Sequence, residues 1–77
     1  MKLIQLPCDG PYVPADSIRR ITGPYYVDEW FYTIGYIIKG VERWEFHTVK
    51  LSTTFVTSEE KAVNSMNKFV DRLNTML

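Results

Sequence analysis

The residues best equipped for chemistry are few: one cysteine, Cys8, one histidine, His47, and two adjacent carboxylate pairs, Asp28-Glu29 and Glu59-Glu60. A thiol becomes a nucleophile where a base or a helix N-terminus depresses its pKa. No such group lies near Cys8 in the chain, so a cysteine–histidine dyad would need the fold to bring Cys8 and His47 together. Cys8 therefore reads as an inert turn residue. A structural zinc site is two soft ligands short, and neither a metal nor another cofactor is expected.

Arg43, Glu45 and His47 fall on one face of a strand, where a carboxylate could orient an imidazole for acid–base work. Alternating charges of this kind are also what a solvent-exposed strand carries to pair across a ladder, and the exposed ladder is the expectation. Neighbouring carboxylates in sequence point apart, and each pair has a local role, one at a turn and one at a helix start. Gly10, Gly23, Gly35 and Gly40 are dispersed, so no phosphate-cradling loop forms. The expectation is a protein that is not an enzyme, with no catalytic residues.

Aromatic side chains carry the stronger signal. Eight of the eleven lie between Tyr25 and Phe46: Tyr25, Tyr26, Trp30, Phe31, Tyr32, Tyr36, Trp44 and Phe46. One apolar sheet face rarely needs so many large rings, and tyrosine and tryptophan are the residues protein interfaces favour. Tyr25, Tyr26, Trp30, Phe31, Tyr32 and Tyr36 are accordingly expected to form a protein interface. Two other uses are filling the core and stacking the bases of a single-stranded nucleic acid. Base stacking is disfavoured because residues 28–60 hold six acids against three bases.

Composition narrows the field further. The 77 residues carry nine basic and nine acidic side chains, without the basic excess of a dedicated nucleic-acid binder. A contact with nucleic acid would have to use Arg19, Arg20 and the helix cations Lys61, Lys68 and Arg72. No segment approaches the roughly 20 apolar residues of a membrane span. The N-terminal apolar run is too short and interrupted for a secretory signal, and a lone cysteine suits a reducing compartment, so a cytoplasmic protein is expected. A chain of this length buries only about 60% of its unfolded surface, which makes homodimer formation a natural source of further burial.

The elements that must position these residues follow from periodicity. Residues 1–56 read as sheet and 58–76 as helix, in one domain spanning 1–77. Strands are expected at Lys2–Leu6, Tyr12–Val13, Ile18–Val27, Trp30–Lys39 and Val41–Leu51, with Phe55-Val56 as a last short strand and a bend at Gly23-Pro24. In the Trp30–Lys39 strand, Tyr32, Ile34, Tyr36 and Ile38 share one face while Phe31, Thr33, Gly35 and Ile37 share the other, and both are largely apolar. Thr57 and Glu60 fit a capping box. Ala62, Val63, Met66, Phe69, Val70, Leu73 and Met76 then form one stripe, with polar residues opposite. One stripe covers one sheet face, so the other must be polar or covered from outside the chain.

The layout Leu3-Ile4-Gln5-Leu6, Gly10, Tyr12-Val13 and Ile18-x-x-Ile21, with Thr57-Ser58-Glu59-Glu60 opening a helix, resembles that of the small flagellar FlbD-type proteins. The resemblance spans under half the chain and implies only a sheet followed by a packed helix. The fold expected is α+β: a small antiparallel sheet of four to five strands with one C-terminal amphipathic helix packed on one face. The function expected is a non-catalytic protein-binding module, of the kind phage and mobile elements carry to bind and inhibit a host macromolecule, acting through an aromatic sheet surface. The alternative is a small regulator that contacts nucleic acid through Arg19, Arg20 and the helix basic residues Lys61, Lys68 and Arg72.

Overall fold

Two ten-residue segments rich in β-branched and aromatic side chains, Ile18–Val27 and Glu29–Ile38, form the long strands β3 and β4, reversed at Asp28 with φ 65°. Aspartate tolerates this left-handed conformation through its short polar side chain. The computed structural model describes residues 2–77. Before these strands come β1 (Leu3–Gln5), β2 (Tyr12–Pro14) and a single 3-10 turn, Ala15–Ser17; after them come β5 (Arg43–Lys50) and the helix α1 (Glu59–Met76). All strand pairs are antiparallel.

The strands form two sheets rather than the one expected. β1 pairs only with β2, while β3, β4 and β5 form a three-stranded sheet in that order. The division follows from short strands and proline. β1 and β2 have three residues each, Pro7 lacks the donor that would extend β1, and the 3-10 turn redirects the chain before β3. Ser17, fully buried, fixes that turn by donating to the Pro14 carbonyl at 2.7 Å. The β3–β4 ladder shifts register between Thr22 and Tyr25, where the bend at Gly23-Pro24 was expected.

Helix α1 holds its apolar stripe as read, with Ala62, Phe69 and Leu73 buried and Met66, Val70 and Met76 half-buried. Its N-cap is Ser58 instead of Thr57: the Ser58 hydroxyl accepts from the Lys61 amide at 3.3 Å. Thr57 meets Lys61 through its side chain, 3.4 Å away. Phe55-Val56 forms no strand. Both amides donate back to the Ser52 carbonyl, which closes a turn and leaves Phe55 exposed.

The core lies on one side of the three-stranded sheet. Tyr32 and Ile34 of β4 and Val49 of β5 meet Phe69 and Leu73 of the helix, and Ile4, Leu6, Val13 and Ala15 of the β1–β2 hairpin complete the cluster. Helix and hairpin together roof this inner face. Burying these side chains stabilises the fold by about 1.5–3 kcal/mol for each large one.

Candidate functional site

Side chains alternate along a strand, so the residues of β4 between the buried ones face outward, away from helix and hairpin. Register joins Phe31, Thr33, Gly35 and Ile37 to Lys50, Thr48, Phe46 and Trp44 on β5, and Phe31 and Thr33 to Tyr25 and Thr22 on β3. None of these residues belongs to the core cluster. The outer face thus gathers Tyr25, Phe31, Ile37, Trp44 and Phe46 on adjacent strands; Tyr25, Trp44 and Phe46 are exposed, and Phe31 and Ile37 are half-buried.

Gly35 organises its centre. The Trp44 and Phe46 rings stack with centroids 6.0 Å apart and planes inclined by 17°, and they lie over the glycine. A Cβ there would stand 3.2 Å from an atom of each ring, so both rings would have to shift by a few tenths of an ångström. Even so, Trp44 is 46% and Phe46 62% exposed. Toward the hairpin tip, Tyr25 packs on Phe31 at 5.6 Å. Beside Phe31, Val27, Glu29, Thr48 and Lys50 bound a shallow hollow of about 420 Å³. Glu29 and Lys50 approach to 4.0 Å, so the charges at this rim partly offset one another.

The six rings expected at an interface divide among three environments. Tyr25 and Phe31 lie on the outer face. Tyr26 and Trp30 pair at 5.2 Å near the hairpin tip, on the opposite surface and outside the core cluster. Tyr32 is a core residue at 2% exposure, and half-buried Tyr36 packs against the core, so these two are not surface anchors. Burial pushes the Tyr32 phenol up to about 12, with the Cys8 thiol adding to the shift and Arg72 opposing it.

Trp44 and Phe46 are the outer-face rings that spacing does not point to, because β5 presents the opposite face to the core from the one its alternation suggests. Its Glu45, His47 and Val49 lie on the core side, opposite Tyr36, Ile34 and Tyr32. The exposed ladder expected of Arg43, Glu45 and His47 is therefore corrected for the latter two, which are half-buried. His47 Nε2 donates to the Pro7 carbonyl at 2.7 Å and fastens the hairpin loop to the sheet. Gly10 lies beneath, where a Cβ would come within 2.8 Å of that nitrogen.

The fold brings Cys8 to the same region, with the thiol donating to the Lys50 carbonyl at 3.5 Å. The imidazole is engaged by Pro7, and Glu45 pairs with Arg43 at 2.8 Å instead of orienting it. No group of three metal-ligating side chains occurs among the described residues.

The cations do not gather into one stripe. Arg20 reaches the outer rim opposite Gly35, and Arg19 donates to the Asp16 carbonyl. Lys68 and Arg72 lie on the other flank of α1, next to Cys8. Lys39 hydrogen-bonds Asp16 at 3.0 Å and holds its carboxyl below the usual value. Among the described residues no helix is long and apolar enough to cross a membrane.

No protein-family model matches the chain, and no curated protein or solved structure matches it either.

Proposed function

We propose that this protein is a non-catalytic protein-binding module whose contact surface is the outer face of the three-stranded sheet. The observation that carries this reading is the set of rings on that face: Tyr25, Phe31, Trp44 and Phe46 with Ile37, none of them in the core cluster, with Tyr25, Trp44 and Phe46 exposed. Monomeric proteins rarely keep a contiguous apolar patch of this kind without using it. Aromatic anchors with a polar rim match the usual anatomy of a protein interface. Thr22, Thr33 and Thr48 interrupt the rings and supply hydrogen-bonding groups. The module acts by occupying a surface of its partner, and inhibition of that partner is the mode this implies.

The separation of Arg19 and Arg20 from Lys68 and Arg72 by the width of the helix weighs against the nucleic-acid alternative. A phosphate backbone is held by cations in a continuous track.

A photoreactive phenylalanine analogue placed at Phe46, with a control at Asn64 on the exposed side of the helix, tests the reading. After irradiation in native cells, a discrete protein adduct is expected from the Phe46 position and none from Asn64. Equal labelling at both positions, or adducts only to nucleic acid, would refute it. An adduct to the same chain would identify the occupant as a second copy.

A further inference from the structure

A second site lies on the opposite side of the sheet, where the β1–β2 loop, β5 and the helix leave a cavity of about 360 Å³. That volume is in the range of small-ligand pockets. Its walls are of two kinds. Val49, Leu51 and Phe69 form an apolar side, while the thiol of Cys8 and the cationic side chains of Lys68 and Arg72 border the other. No carboxylate is among the lining residues. Lys68 and Arg72 are one helical turn apart on the same flank, so both charges serve one opening. Arg72 is held in place by donating to the Gln5 carbonyl and by its guanidinium 5.5 Å from the centroid of Phe69.

Tyr32 supplies an independent observation. The side chain is 98% buried, yet its hydroxyl has no hydrogen-bond partner among the described residues. No side-chain nitrogen or oxygen that is cut off from solvent lacks a partner among the described residues, so this hydroxyl is reached by solvent, and Tyr32 is one of the residues lining the cavity. A solvent-reached hydroxyl with no partner in the protein can exchange its water for an acceptor on a ligand.

We propose that this cavity binds a small organic carboxylate with an apolar body, the carboxylate between Lys68, Arg72 and the Tyr32 hydroxyl and the body against Leu51 and Phe69. A carboxylate supplies acceptor atoms for all three donors, and the apolar wall selects against bare inorganic anions. The site is separate from the outer face, so a ligand here and a protein there need not compete.

Octanoate is a suitable probe, with octylammonium and octanol as chain-matched controls, and the alkylation rate of Cys8 by iodoacetamide as readout. Octanoate is expected to slow alkylation saturably, and the two controls to leave it unchanged. Lys68→Gln, which breaks no contact within the fold, should weaken the protection by about tenfold, the usual size for loss of one charge-assisted hydrogen bond. Tyr32→Phe should weaken it less, while Arg72→Gln also loses the bond to Gln5 and is the less clean variant. The proposal is overturned if octanoate gives no protection, if octanol protects equally, or if Lys68→Gln retains full protection in a folded protein.

Discussion

The two faces of the three-stranded sheet are built from interleaved residues of the same strands and differ in what covers them. Tyr32, Ile34 and Val49 face inward and are sealed by helix and hairpin. Phe31, Ile37, Trp44 and Phe46, on the alternate positions of the same two strands, face outward, with Trp44 and Phe46 exposed and Phe31 and Ile37 half-buried. Apolar residues on the first face hold the fold together, whereas those on the second have no intramolecular contact of comparable extent. Hydrophobicity alone does not separate a core from a binding surface; the number of covering elements does. This chain has one helix and one short hairpin, both on the same side.

Breaking the inner face should have the largest effect. Phe69→Ala should cost about 3 kcal/mol or more, enough to unfold much of a domain of this size, as measured by urea denaturation. An unchanged melting point would show that the helix is not part of the core.

Alkaline pH probes the same face more gently. The Tyr32 phenol is favoured in its neutral form by folding, with its pKa raised from 10.0 to about 12. A raised pKa contributes stability that is fully present below pH 10 and is lost as pH climbs through 12. The loss should approach about 3 kcal/mol. Tyr32→Phe should remove this part of the pH dependence, and equal slopes for both proteins above pH 10 would contradict it.

The outer face should respond the other way. Trp44→Ser with Phe46→Ser should shift unfolding free energy by no more than about 1 kcal/mol, since exposed substitutions are usually mild. Partner binding should fall by about 2 kcal/mol or more, the scale of an aromatic anchor. If the occupant is a second copy, sedimentation at micromolar concentration should show a dimer that this double variant reduces to monomer. A large loss of stability in a monomeric background would assign the two rings to the core instead.

The smallest effect is expected at the rim. Arg43→Ala should change stability by less than about 1 kcal/mol, because Arg43 is exposed and its half-buried partner Glu45 keeps access to solvent. Charge reversal at Arg19 and Arg20 should leave partner binding largely intact. Salt-sensitive oligonucleotide binding lost on that reversal would favour the nucleic-acid alternative.

The elements with strong local signals were legible in the sequence. The helix stripe, the two faces of β4 and the bend at Gly23-Pro24 follow from spacing and from the backbone limits of proline. What spacing could not supply was the direction of β5. Trp44 and Phe46 alternate with Glu45 and His47, and the usual rule places the rings inside. Long-range pairing decides the matter: the register that sets Val49 beside Tyr32 necessarily sets His47 inward and Phe46 outward. The half-buried His47 is tolerated because the Pro7 carbonyl, contributed by a distant loop, accepts a hydrogen bond from its Nε2–H. Gly35 was the one local hint, a residue without a side chain in the middle of an otherwise bulky strand. The break between the two sheets was equally hidden, since the short strands look alike whether or not they join the long ones.

The seating of Trp44 and Phe46 over Gly35 bears on how tightly and how quickly a partner can be held. Rings that stand free on a surface must be immobilised when a complex forms, at about 0.5–1.5 kcal/mol for each side chain. Here the stacking and the glycine beneath already restrict both rings in the unbound protein. Docking then loses little side-chain freedom, and the complex should dissociate more slowly than the contact area alone would suggest. Gly35→Ala would shift both rings by a few tenths of an ångström and loosen that seating, which should shorten the lifetime of the proposed complex through a residue with no side chain of its own.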